Sequence, residues 1–319
     1  MIKSNLRKVY QNTAFPGFVF FLCAVIVNII LQPNFFSLSV FRANLLTFAP
    51  LILVSMAQAI IIISGSVDLS LGAGISLITA VMATVMKDSL TSIIFTILLV
   101  FIVSLAMSMV NGLFISYFKM PPLLMTFATS AVWLGIALVF VPRPGGYIPP
   151  AFYLSYGKNL AGFIPVPLII IIGAFIIWFF ITKTRTHKYM YAVGSNEYSS
   201  YASGINVRWT RLKAFMIASI FVALAGICVV GQTATGDARS GLGFTLNSIA
   251  AVIIGGISLS GGKGNIVGGV MGAFILVLLI NILYFANVTT FYQEFIKGAI
   301  IILAIAVGMI PKIIKDRAT

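Results

Sequence analysis

The chain has 319 residues, of which 60% are hydrophobic and 8% charged, with a mean hydropathy of +1.11. Soluble domains carry roughly 25% charged residues, so this composition excludes a water-soluble enzyme and requires a surface that meets lipid. The net charge of +14 sits in short loops between apolar runs, which argues against a nucleic-acid partner and for basic loops on the cytoplasmic side of a membrane.

A run of about 20 apolar residues spans a bilayer. Spans are expected near 14–31, 44–64, 70–86, 92–114, 123–141, 166–182, 212–230, 245–259, 266–286 and 291–310. The expected fold is an all-α membrane protein of about ten transmembrane helices in a single domain over 1–319. Lys3, Arg7 and Lys8 precede the first run in the manner of a signal peptide. The stretch from Ala14 to Leu31 lacks a small-x-small cleavage signal and is expected to be a retained span. The run at 245–259 is short and glycine-rich, as in a broken or tilted helix. Cys23 and Cys228 both fall in apolar runs and are expected to be buried thiols with no disulfide. Ten spans with a cytoplasmic N-terminus leave six of the 20 Lys and Arg outside (Arg42, Lys87, Arg143, Lys158, Arg239 and Lys297) and the other 14 inside. That bias favours both termini in the cytoplasm.

Two loops are longer than the rest. The outer one, 142–165, is rich in proline and glycine and has room for a short surface helix. The inner one, 183–213, is the only sizeable cytoplasmic segment. Within it Asn196 can cap a short helix beginning at Glu197, a residue that suits the positive end of the helix dipole. Gly204 can end that helix as a left-handed C-cap. Tyr198 and Tyr201, three apart, share one side of it and offer aromatic surface for a partner or for the membrane interface.

Catalytic groups are hard to find. His187 is the only histidine, and there is no Cys/His cluster with metal-ligand spacing. The run from Ser258 to Asn265 lacks the Gly-x4-Gly-Lys-Ser/Thr order of a phosphate-binding loop, because Ile257 and Gly264 occupy deciding positions. The chain is therefore not expected to hydrolyse ATP, and no cofactor is implied. Gly264, Gly268 and Gly272 recur every four residues and suit close helix packing, with Gly255, Gly256 and Gly72 in neighbouring turns. Asp68, between two apolar runs, has two readings: a helix cap for a helix starting at Leu69, or a cation or proton site. Gln58, Asn111, Thr126, Asn247 and Asn281 lie deep in spans. They can line a pathway for an uncharged polar solute or glue helices together. A weak internal echo relates 65–74 to 255–264.

The chain resembles the permease subunits of ribose-type (monosaccharide) ABC importers, within the monosaccharide and branched-chain amino-acid permease family. Three segments carry the likeness. They are Gly65-Ser66-Val67-Asp68-Leu69-Ser70-Leu71-Gly72; Ala192-x-Gly194-x-Asn196 with Gly204-Ile205; and Gly255-Gly256-x-Ser258-Leu259-x-Gly261-Gly262-x-Gly264 with Gly268 and Gly272. It departs from the family pattern at Ser199-Ser200, where an Ala-Ala pair is common, and at Ser66-Val67. The resemblance implies a pathway formed with a second permease subunit, the same or a related chain. It implies cytoplasmic ATPase subunits docked on short coupling helices in the 183–213 segment, and an extracytoplasmic binding protein that delivers a sugar or sugar-like solute. A ten-span secondary transporter is the alternative that composition alone allows.

Overall fold

The computed structural model describes residues 15–32, 34–160 and 164–289, and beyond them 292, 293, 295, 296, 298, 299 and 302. In chain order the helices are α1 (Phe15–Leu31), α2 (Leu38–Ile63), α3 (Leu71–Val85), α4 (Leu90–Ser116), α5 (Pro122–Phe140) and α6 (Pro150–Tyr156). A two-residue hairpin of β1 (Asn159–Leu160) and β2 (Ile164–Pro165) follows. The remaining helices are α7 (Val166–Thr182), α8 (Arg185–Ser195), α9 (Glu197–Ala202), α10 (Val207–Thr233), α11 (Leu242–Ile254) and α12 (Ile266–Phe285).

Local chemistry sets most helix starts. Ser37, Ser89, Asn206 and Asn265 are N-caps whose side chains accept from Val40 N, Ser92 N, Trp209 N and Val267 N. Pro122 and Pro150 open α5 and α6, where a missing N–H costs nothing. The interiors are apolar all round, as in helices that meet protein on one side and lipid on the other.

Packing divides the helices. α2 and α10 form the centre, with 89% and 78% of their most apolar windows buried, whereas α4 and α5 bury 28% and 17%. The outer pair presents Ile102, Leu124, Phe127 and Val139 outward, surface that only lipid or another apolar partner can cover. The described protein is all-helical apart from β1 and β2. Five helices, α2, α4, α5, α10 and α12, are long and apolar enough to cross a membrane, and a sixth span results if α7 and α8, bent by 81°, are taken together. α1, α3 and α11 are shorter apolar helices. Each expected run from 14 to 286 therefore holds an apolar helix, while the run expected at 291–310 lies largely outside the described residues. Cys228 is buried as expected, but Cys23 is exposed, because it lies on the outward face of α1.

Contacts define two ends of the bundle. At one end Tyr147 N donates to Ala83 O and Gly145 pairs with Gly236. There Tyr147 OH also donates to Asp88, a bond that holds the phenol above its usual pKa range. The short helix expected in this loop is α6, seated where Tyr156 OH reaches Leu46 O at 3.3 Å. At the other end lie the C-terminus of α2, helices α8 and α9, and the turn 255–265.

The run at 245–259 is short for a specific reason. After α10 ends at Ala234, which has a φ of 54°, the chain runs as irregular backbone beside α3 until Gly241. Thr79 Oγ1 donates to Asp237 O at 3.0 Å, and Ser76 Oγ accepts from Gly241 N at 3.0 Å. Side chains of α3 thus satisfy backbone groups of this stretch. α11 is the 13-residue remainder.

Candidate functional site

At the α8–α9 end the chain leaves α7, turns by 81°, and lays α8 across the end of the bundle. Met190, Val193 and Gly194 face inward. His187 packs against Trp178 and Tyr191, with ring centroids 5.3 and 5.0 Å away. Tyr191 OH donates to Gly264 O at 2.9 Å. Such an aromatic cluster is typical of the level where a membrane meets water.

α9 begins at Glu197 with Asn196 as N-cap, whose Oδ1 accepts from Ser199 N at 2.8 Å. Gly204 ends it at a φ of +78°, with Gly204 N donating to Tyr201 O and Ile205 N to Ser200 O. A six-residue helix is marginal alone. Here Ser200 anchors it by burial, its hydroxyl donating to Asn196 O. The Ser200 hydroxyl is thus satisfied within the helix. Glu197 pairs with Arg211 of α10 at 3.1 Å. Tyr198 and Tyr201 are left 82% and 74% exposed.

Beneath α9, three segments distant in sequence meet backbone to backbone. Gly262 N donates to Ile63 O at 3.0 Å, and Ser195 Oγ donates to Gly262 O at 3.3 Å. A Cβ on Gly194 would stand 1.9 Å from Ile63 O and 2.6 Å from Gly262 N. One on Gly261, whose φ is +80°, would stand 2.7 Å from Gly194 O and 2.9 Å from Gly65 Cα. No side chain fits at either place. The α8–α9 corner, the end of α2 and the 255–264 turn are therefore locked together at Gly65, Gly194, Gly261 and Gly262. Both halves of the weak sequence echo join here.

From that junction the chain runs directly to Asp68. Its side chain is buried, and Oδ1 accepts from Ser70 N and Ser70 Oγ, both at 2.7 Å. Asn111 Nδ2 of α4 lies 3.3 Å from Asp68 Oδ2 and donates to Ser70 Oγ at 2.8 Å. Thr129 Oγ1 of α5 donates to Asn111 Oδ1 at 2.7 Å. A cavity of about 10 Å³, the size of one water, borders Asp68, Ser70, Asn111 and Trp133. No cationic side chain pairs with Asp68 among the described residues. The expected helix start at Leu69 is corrected to Leu71, and Asp68 does not cap its first turn. The carboxylate instead holds Ser70, the residue before the helix, because a two-residue reach from Asp fits a turn. Thr126 accepts from Leu69 N at 3.0 Å and braces the same turn.

Gly72 meets Gly241 and Thr245, while Gly268 and Gly272 meet the backbone of Gly255 and Ala251. Gly72 thus permits close α3–α11 packing, and Gly268 and Gly272 close α11–α12 packing. The expectation that Gly264 shares the helical face is corrected: it precedes α12, has a φ of +113° and abuts Ile257. Gly256 lies in the same turn, at a φ of +80°. Gln58 is fully buried in α2, and neither of its side-chain polar atoms has a protein partner. Asn281 donates to Asn44 at 3.1 Å, and Asn247 is half-buried on α11. Of Gln58, Asn111, Asn247 and Asn281, Asn111 borders the cavity beside Asp68. Ser70 lies in the Gly65–Gly72 motif beside Asp68, whereas Thr129, which completes the network, is not legible as a site residue, since only packing pairs α4 with α5. Gly65, Gly261 and Gly262 carry a signal in the glycine-rich turns, but not their meeting with Gly194.

Residues 41–305 match the family described as branched-chain amino acid transport system / permease component. The ribose import permease protein of Bacillus subtilis is 34% identical over 293 residues, covering 89% of this chain and 89% of its own. The D-allose transport system permease protein of Escherichia coli is 32% identical, covering 90% of this chain and 89% of its own. The galactose/methyl galactoside import permease protein of Haemophilus influenzae is 28% identical, covering 91% of this chain and 92% of its own. No solved structure matches.

Proposed function

The chain belongs to the family of branched-chain amino acid transport system permease components, and from that premise we propose that it is the multi-pass membrane subunit of an ATP-driven importer for a sugar or sugar-like solute. The relatives' names supply the solute class: ribose, allose and galactose. The observation that carries the mechanism is α9, a capped helix that projects two exposed tyrosines and rests on a backbone junction continuous with the Asp68 turn. Short exposed aromatic helices suit an interface, and the two tyrosines of this one are 82% and 74% exposed. We assign it as the seat of a separate ATPase subunit, whose strokes reach the bundle through Gly194. A second permease copy or relative completes the pathway, and an extracytoplasmic binding protein selects the solute. The same Asn and Gln side chains in the bundle, Gln58, Asn111, Asn247 and Asn281, are assigned to helix contacts and the pathway wall.

The test is reconstitution. Vesicles carrying this chain with its ATPase and binding protein should take up labelled ribose, allose or galactose only when ATP is supplied to the ATPase. Uptake by the chain alone, driven by an ion gradient, would instead make it a secondary transporter.

Orientation follows from charge. With the α8–α9 end in the cytoplasm, Lys183, Arg185, Lys188, Arg208, Lys213 and Lys263 face inward, as the bias of basic residues toward that side requires. Both termini are then cytoplasmic in a ten-span layout. A single cysteine at Tyr198 should react with an impermeant maleimide only in opened or inverted vesicles, and one at Tyr147 only from outside. Labelling of position 198 from outside would overturn the layout.

A further inference from the structure

A groove of about 450 Å³ opens between α4, α10 and the α7–α8 bend, a size that suits a specific ligand. Phe101, Leu105, Ile217 and Ile220 form its apolar walls, and Lys213 and Thr186 lie at its α8 end. Next to the lining residues Phe101 and Ile181, Ile102 and Phe180 are 64% and 65% exposed and give these helices an apolar outer rim. In a membrane protein such a rim faces lipid.

The polar end of the groove is positive in three ways. Lys213 is half-buried, stacked over Trp209 at 5.2 Å, and has no carboxylate partner among the described residues. α8, 11 residues long, points its N-terminus at the groove through Thr184 and Thr186. Thr184 makes no side-chain cap bond and the first turn holds no acid, so the free N–H groups and the helix dipole are uncompensated. Among the described residues no carboxylate of this chain is placed to help. Asp68 is interior, Asp88 and Asp237 sit at the opposite end, and Glu197 is held by Arg211. Among the described residues a second copy of the chain therefore offers no free carboxylate to match Lys213. A lipid offers both halves, an acyl chain for the apolar walls and an anionic headgroup for the rest.

We propose that this groove is a binding site for an anionic phospholipid, with the acyl chain between α4 and α10 and the phosphate held by Lys213, Thr186 and the N-terminus of α8. The site places the lipid against α8, the helix that carries Gly194 and leads into α9. This rests on the membrane-spanning fold and not on the importer reading, so the two can fail separately.

The test is lipid retention by the purified full-length chain, read by native mass spectrometry and by a photoreactive phosphatidylglycerol. The chain should retain phosphatidylglycerol over phosphatidylethanolamine. Lys213→Gln should lower its occupancy about fivefold, the worth of one basic residue at an anionic headgroup, and Lys213→Arg should restore it. Ile217→Trp should exclude the acyl chain, and soluble glycerol phosphate should not compete. The photoproduct should fall on α10 or α4. Equal retention of both lipids, no response to Lys213→Gln, competition by glycerol phosphate, or a copy-to-copy contact that shields the groove would each overturn the proposal.

Discussion

Gly194→Ala is expected to lower ATP-driven uptake about tenfold or more. Forcing one extra carbon into a packed interior costs about 1–3 kcal/mol, and there the neighbours are flexible side chains. At Gly194 they are the carbonyl of Ile63 and the amide of Gly262, at 1.9 and 2.6 Å from the new carbon. Neither can rotate away, so the α8–α9 corner must lift from the end of α2 and break the Gly262–Ile63 hydrogen bond. Gly204→Ala is the matched control. It has nothing within 4 Å and is strained only by its φ of +78°, about 1–2 kcal/mol confined to the end of α9. Uptake and thermal stability in detergent should both fall further for position 194 than for position 204. Equal effects would mean that the junction transmits nothing beyond local strain.

Asp68→Leu is the second large effect expected. The change leaves Ser70 N, Ser70 Oγ and one Asn111 N–H without their acceptor in the interior. Each buried orphan costs about 1–3 kcal/mol, so the variant should lose several kcal/mol and insert poorly. Asp68→Asn tells the reason apart from simple loss of charge. Its carbonyl oxygen can still serve Ser70, but its amide would face Asn111 Nδ2, a donor against a donor. An intermediate loss is expected, and Asn111→Asp in that background should restore part of it by supplying an acceptor. If Asp68→Asn is as damaging as Asp68→Leu, the charge itself rather than the hydrogen-bond geometry is what the fold needs.

Much of this fold is legible in the sequence alone. Apolar runs located α1 to α5, α7 and α10 to α12, because lipid enforces long uninterrupted runs. α9 was legible to the residue, since Asn196, Glu197 and Gly204 are local signals whose partners lie within a few positions. α8 was not, because an 11-residue helix lying across the end of the bundle has no apolar run to mark it. The run at 70–86 gave α3 within a residue at each end, but the cap reading of Asp68 placed its start at Leu69, because an Asp that serves a turn looks the same in sequence as one that caps a helix. The junction of Gly65, Gly194, Gly261 and Gly262 was hidden for a deeper reason. Glycine-rich turns announce close approach, but not to what, and the meeting joins segments about 130 and 67 residues apart in the chain. The same limit hid Thr129, whose partner Asn111 lies on another helix.

The central claim is that α9 seats an ATPase and that its motion enters the bundle through Gly194. A photoreactive residue at Tyr198, 82% exposed, addresses it most directly in the assembled complex. The account predicts a cross-link to the ATPase subunit, retained when the cross-linker is moved to Tyr201 and lost at Tyr147 on the opposite end. Cross-links from Tyr198 and Tyr201 that reach only lipid would contradict it and leave α9 as a surface turn.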